Sequence, residues 1–95
     1  MMMRAIWKNV VIAESENTVR IEGNHYFPKN DVKLQYFKES KTQTICSWKG
    51  TASYYTVEIN GEKNIDSAWF YPNPKEAANQ IKEMVAFWNG IEVVE

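Results

Sequence analysis

The sequence predicts an α+β domain that is mainly β: a small curled antiparallel sheet, barrel-like or a tight sandwich, with one helix near the C-terminus. Three observations carry this. About seven short β-prone runs are separated by turn residues rather than by long linkers. Asn60-Gly61 sits between two alternating runs and is the strongest hairpin signal in the chain. Only the stretch after Pro72-Asn73-Pro74 carries apolar residues at helical spacing.

Residues 4–7 and 10–13 are short apolar runs flanking Lys8-Asn9, a spacing that predicts a hairpin with a two-residue turn. Residues 14–17 are polar and read as the next turn. Residues 18–22 alternate, Val19 and Ile21 against Thr18, Arg20 and Glu22, as a half-buried strand does. Gly23-Asn24 ends that strand, since both residues accept left-handed backbone angles. Pro28 lacks a backbone donor and keeps Phe27 extended. Lys29-Asn30-Asp31 is expected to form a turn or a single helical turn. Residues 32–37 alternate and read as a strand, and residues 38–43 as a polar loop.

Residues 44–59 form the longest β-prone stretch, broken near Trp48-Lys49-Gly50 by a bulge or sharp bend. Beyond the break, Tyr55, Val57 and Ile59 share one face, and Tyr54, Thr56 and Glu58 the other. After Asn60-Gly61 the return strand runs from Glu62 into residues 68–71, and the polar run 64–67 is where it could be interrupted. Asn73 suits an N-cap, Pro74 the first helical position and Glu76 the capping-box position. Ala77, Ile81, Met84, Val85 and Trp88 then predict a helix from residue 74 to 83 or a turn beyond, although Val85-Ala86-Phe87-Trp88 also reads as strand. Asn89-Gly90 is a turn, and residues 91–94 are a last strand.

The 95 residues are expected to form a single domain over residues 1–95. A domain of this size buries little more than ~60% of the surface its unfolded chain exposes. Its 4 Trp, 5 Tyr and 4 Phe are therefore expected to fill much of a thin core. The balance of 11 basic and 12 acidic residues builds no positive field for a phosphate backbone, which argues against nucleic-acid binding. Cys46, the single cysteine, has no internal disulfide partner and fits a reducing compartment. With His25 as the single histidine, a Cys/His zinc site within one chain is ruled out, and neither a metal nor a cofactor is expected. No apolar h-region of a signal peptide follows Met1-Met2-Met3-Arg4, and no run approaches the ~20 apolar residues of a membrane span. The expectation is a cytoplasmic protein with no membrane partner. Nothing in these patterns fixes an oligomeric state.

Four features could carry chemistry. His25 could exchange protons near neutral pH and Tyr26 could donate a hydrogen bond, though a turn with an exposed histidine and a buried aromatic pair explains both. Lys49, three residues from Cys46, could lower the thiol's pKa, but in an extended chain the two point to opposite faces. Trp48, Tyr54, Tyr55, Trp69, Phe70 and Tyr71 could stack on a flat ring or a sugar face, with core packing as the plainer account. Glu22, Glu58 and Asp66 are carboxylates in or beside apolar runs that could pair as acid and base, although their spacing demands no pairing.

Several stretches together resemble a known family. They include Val19-Arg20-Ile21-Glu22-Gly23-Asn24, Tyr26-Phe27-Pro28, Cys46-Ser47-Trp48-Lys49-Gly50-Thr51-Ala52-Ser53-Tyr54-Tyr55 and Ala68-Trp69-Phe70-Tyr71-Pro72. In this order they are similar to the Domain of Unknown Function 427 family, also labelled a nucleotidyltransferase domain, over nearly the whole chain. The resemblance implies a small, mainly β domain. Its motif residues fall on Glu22, Tyr26, Cys46, Trp48, Lys49, Gly50, Tyr54, Trp69 and Tyr71. Ser47 stands where relatives often carry proline, and Lys8-Asn9 where they often carry Asn-Gly. The nucleotidyltransferase label has no counterpart in the residues, which show no glycine-serine phosphate loop and no spaced aspartate pair.

The expected site is a small-molecule pocket, for binding or catalysis, at Glu22, Tyr26, Cys46, Trp48, Lys49, Tyr54 and Tyr71, with the lysine attracting an anionic group. Gly50, Pro28 and Pro72 mark breaks in regular pairing near Lys49, Tyr26 and Tyr71, which predicts that Lys49 lies close to one of these tyrosines and faces a cleft. The adjacent charge is expected to lower the phenol's pKa. The rival is a protein-interaction module using exposed aromatics as anchors. A concave site holding Lys49 favours the first reading, and a flat aromatic patch the second.

Overall fold

Three two-residue turns set the strand pairing of this computed structural model, which describes residues 1–95. Lys8 and Asn9 (φ 52° and 62°), Glu22 and Gly23 (φ 53° and 82°) and Asn60 and Gly61 (φ 51° and 81°) all adopt left-handed backbone. Paired positive φ angles match the right-handed twist of flanking strands and close tight hairpins. They join β1 (Met3–Trp7) to β2 (Val10–Ser15), β3 (Val19–Ile21) to β4 (Asn24–Tyr26), and β6 (Gly50–Ile59) to β7 (Glu62–Phe70). With β5 (Phe37–Cys46), β8 (Val85–Phe87) and β9 (Glu92–Val94), the strands form three antiparallel sheets in the orders β2-β1-β9, β3-β4 and β5-β6-β7-β8. The fold is mainly β as the sequence predicts, but no sheet closes into a barrel.

The β6-β7-β8 sheet is covered on both faces at its β8 side. Tyr55, Val57, Ala68, Val85 and Phe87 enter a large core with Met3, Ala5, Ile12 and Ala13 of the β1–β2 hairpin. Ala52, Tyr71 and Ala86 enter a smaller core with Tyr26, Ala78 and Ile81. The period-2 alternation of strands produces this division. Phe27 and Val85 exchange backbone hydrogen bonds of 2.7 and 2.8 Å, so the chain leaving β4 pairs beside β8. Tyr26 and Phe27 therefore enter opposite cores. Phe27 meets Phe87 edge-on at 5.5 Å, and Tyr55 stacks on Phe70 at 4.7 Å. Such pairs contribute roughly 0.5–1.5 kcal/mol each beyond the area they bury.

Three expectations are corrected. There is no C-terminal α-helix. Residues Glu76–Ile81 form 3-10 turns kinked at Ala78 (φ −115°, ψ 19°) and lack a side-chain cap. The backbone beyond them is committed to other partners, because Glu83 N–H donates to Tyr71 O and Val85 pairs with Phe27. The helical spacing of Ile81 and Val85 is a coincidence of two residues that enter different cores. Residues 32–37 are not a strand, since Leu34–Tyr36 is a 3-10 turn with Leu34 exposed. The loop expected at 38–43 lies within β5, whose backbone pairs with β6 on either side of an irregularity between Glu39 and Gln43, while most of its side chains beyond Phe37 face solvent. β7 spans residues 64–67, but its pairing with β6 is interrupted there, where the register shifts between Tyr55 and Val57 and Asp66 adopts φ 56°. No helix is long and apolar enough to cross a membrane.

Candidate functional site

The site grows out of the turn between β5 and β6. Cys46 pairs with Gly50, so Ser47-Trp48-Lys49 is a hairpin turn rather than a bulge in one strand. Gly50 makes it possible. Its φ of 112° disfavours any side chain, and an added Cβ would touch Lys75 N at 3.5 Å and Asn73 O at 3.6 Å. The proline-rich segment after Tyr71 straps the turn, with Lys75 N–H donating to Lys49 O at 2.9 Å and Lys75 Nζ to Ser47 O at 2.6 Å.

Held in this way, Lys49 turns inward and is only 7% exposed. Its ammonium lies 5.2 Å from the Trp48 ring centre and 5.7 Å from that of Tyr71, and donates a hydrogen bond to Glu22 Oε1. Glu22 reaches it from the first position of the β3–β4 turn, where its left-handed backbone carries the carboxylate across. Burial works against the Lys49 charge. The Glu22 hydrogen bond, with the nearby phenols and carboxylate, outweighs it and keeps the ammonium pKa above its ordinary value. The same hydrogen bond lowers the pKa of Glu22. At neutral pH the pair is fully charged.

Tyr26 is completely buried, its ring edge-on to Trp69 at 6.2 Å and its hydroxyl accepting the Trp69 indole N–H at 3.2 Å. Burial pushes the pKa values of Tyr26 and Tyr71 up, and Lys49 only partly offsets it. The lysine does favour the phenolate, as expected, but dehydration of the phenolate outweighs the neighbouring charge and the net shift is upward. Both tyrosines remain neutral. Cys46 is half-buried, and its pKa is lowered, first by backbone N–H groups of Lys49 and Trp48 that face the sulfur and only weakly by the ammonium.

A cleft of about 410 Å³ opens beside the ammonium, lined by Asn24, Lys49, Tyr54, Trp69, Tyr71 and Trp88. Of the residues singled out in the sequence, Lys49, Tyr54 and Tyr71 fall on its wall, and Tyr54 also shares a 2.9 Å hydrogen bond with Thr44. Glu22 and Trp48 hold the ammonium, and Tyr26 braces Trp69 from inside. Cys46 belongs to the same turn but does not line the cleft. Asn24 and Trp88 escape the sequence reading. Asn24 reads there as a turn residue, although it follows Glu22 by two positions in the same hairpin. Trp88 is hidden by its place in the supposed helical spacing. It instead follows β8 and donates its indole N–H to Asp66 O at 2.7 Å.

The other candidates lie elsewhere. His25 Nδ1 is 2.9 Å from Thr18 Oγ1. The Asp66 carboxylate accepts from Ser40 and Thr42, and Glu58 lines a separate hollow. No group of three or more His, Cys, Asp or Glu side chains converges as metal ligands.

These features define a class: a small antiparallel β domain built around a buried lysine paired with a solvent-exposed carboxylate beside an aromatic cleft. A family model described as Domain of unknown function (DUF427), named NTP_transf_9, matches residues 1–95, and the chain belongs to that family. No curated protein matches the chain.

Proposed function

We propose that this domain binds a small molecule carrying an oxygen-rich or anionic group in the cleft beside Lys49. The observation that carries the reading is a charged lysine that is only 7% exposed as a residue and still forms part of a cleft wall. Burying a charge is costly and calls for compensation. Here one carboxylate and two aromatic faces supply it, and Glu22 is the ammonium's one hydrogen-bond partner. An ammonium has three N–H donors. The remaining two are free for a ligand oxygen. Four of the six lining residues are aromatic, which suits the ring or apolar body of a ligand.

Lys49 stays protonated, so it is a donor and point charge rather than a nucleophile. The neutral phenols are likewise donors. The arrangement therefore offers electrostatic and hydrogen-bond stabilisation of an oxygen. The rival interaction-module reading draws on exposed Trp48 and Trp88, but Trp88 lines a concavity rather than a flat patch.

The test is a metabolite screen by thermal shift on the wild-type protein and on Lys49→Met. A ligand specific to the native state raises the melting temperature of the wild type and not of the variant. Equal shifts in the two proteins, or none across anionic and oxygen-rich compounds, would sink the reading.

A further inference from the structure

The chemistry of the cleft wall narrows the ligand class, taking the cleft as the binding site proposed above. Lys49 is the one cation among the lining residues, and its charge is already matched by Glu22. Phosphate sites usually gather several donors, such as consecutive backbone N–H groups at a helix N-terminus or an arginine fork. The lining here contains no arginine and no glycine-rich loop. The paired lysine leaves a weak positive potential on the cleft side, where Lys49 is a lining residue and Glu22 is not.

Charge number then decides. Attraction to the site grows in proportion to a ligand's charge, whereas the cost of dehydrating an ion grows with the square of that charge. Burying an ion is already expensive for one charge. A weak field therefore favours a single negative charge over two. The rest of the wall, Tyr54, Trp69, Tyr71 and Trp88, presents ring faces and edges, and Asn24 adds an amide. A volume of about 410 Å³ lies toward the small end of the range for ligand sites, roughly 300–1,000 Å³.

From this combination we infer that the cleft takes a small planar-ring monocarboxylate, and that Glu22 determines this specificity by holding the net charge of the lysine site near zero. The carboxylate accepts the free N–H protons of Lys49 and the ring lies among the aromatic walls. Glu22 itself shows that this ammonium accommodates a carboxylate partner. Phosphorylated ligands, which carry nearly two charges at neutral pH, are disfavoured.

The experiment titrates benzoate, benzamide and phenyl phosphate into the wild-type protein and Glu22→Gln at pH 7.5, following tryptophan fluorescence and ligand NMR. In the wild type, benzoate is expected to bind roughly tenfold or more tightly than either of the others. In Glu22→Gln, phenyl phosphate is expected to gain about tenfold or more, while benzamide is unchanged. The side chain of Glu22 is 53% exposed, and glutamine preserves its size, so folding of the variant can be confirmed by its melting curve. Should the variant fail to fold, the wild-type order of the three probes still decides the ligand class. Phenyl phosphate outbinding benzoate in the wild type, or an unchanged preference in a folded Glu22→Gln, overturns the inference. Benzamide binding as well as benzoate leaves the cleft as a site and removes the carboxylate class. Failure of all three probes removes both.

Discussion

Strand β6 runs between two hollows of similar size with opposite character. Near Gly50 the hollow of about 410 Å³ is walled by aromatic rings and a lysine whose charge is buried. Near Asn60-Gly61 a second hollow of about 360 Å³ is walled by Lys38, Glu39, Thr56, Glu58, Lys63 and Ile65. Lys63 there stands opposite Glu58 in the β6–β7 register, as Lys49 faces Glu22 in the first. The difference is dehydration. Charges on a solvated strand face are screened and satisfied by water, so they present little to a ligand. One buried charge among rings keeps a directed field. Concavity alone does not make a site.

The largest effect that would break this contrast lies at the turns. Gly50→Val places a branched side chain at φ 112° against the backbone of Asn73 and Lys75. It should cost about 3 kcal/mol or more by chemical denaturation. Gly61→Ala, at φ 81° with open space around it, should cost only about 1 kcal/mol. Equal costs would mean that the two turns are equally free.

Next come the lysines. Lys49→Ala removes a buried stem and leaves a cavity beside Tyr71 and Trp48, and should destabilise by roughly 1–3 kcal/mol. Lys63→Ala, on the exposed face, should stay within about 0.5 kcal/mol. A neutral Lys49→Ala in thermal melts would show that the first hollow is as loosely built as the second.

A smaller effect is expected from pH. The folded pKa of Glu22 lies below its ordinary value of 4.5, so its contribution to stability is present above that value and lost as pH falls through the folded pKa. Wild type should therefore lose more stability than Glu22→Gln on acidification below about pH 4.5. Lys49, Tyr26 and Tyr71 have raised pKa values, so their contributions are complete at neutral pH and lost on strong alkalinisation. The smallest effect is kinetic. Cys46 should be alkylated by iodoacetamide with a pH midpoint below that of an ordinary thiol, read by mass spectrometry. A midpoint at or above the ordinary value would argue that the turn amides do not face the sulfur.

Around the first hollow, the breaks in strand pairing are more legible in the sequence than the elements that flank them. Gly50, Pro28 and Pro72 mark where pairing stops, and residues near such breaks do converge. That Lys49 would be clothed by Trp48 and tied to Glu22 depends on the strap from residues 73–75, which no local pattern encodes. Strand β5 is illegible for a different reason. It is an edge strand whose backbone does the pairing, so side chains as polar as Lys38, Glu39 and Gln43 carry no trace of it. Trp88 and the missing helix share one cause. An apolar spacing of three and four residues arises equally from a 3-10 turn followed by a strand, and only the competition for hydrogen bonds separates them.

The backbone pair between Phe27 and Val85 has a consequence for how the site can move. Tyr26 braces Trp69 on one side of the sheet while its neighbour Phe27 is sunk in the main core on the other. Lifting the floor of the cleft therefore means withdrawing a phenylalanine from the centre of the molecule. The amide protons of Phe27 and Val85 should be among the last to exchange with deuterium, at rates set by global unfolding rather than local opening. A ligand reaching Lys49 meets a preformed wall, and its binding should leave the slowest-exchanging amides in the same rank order as in the free protein.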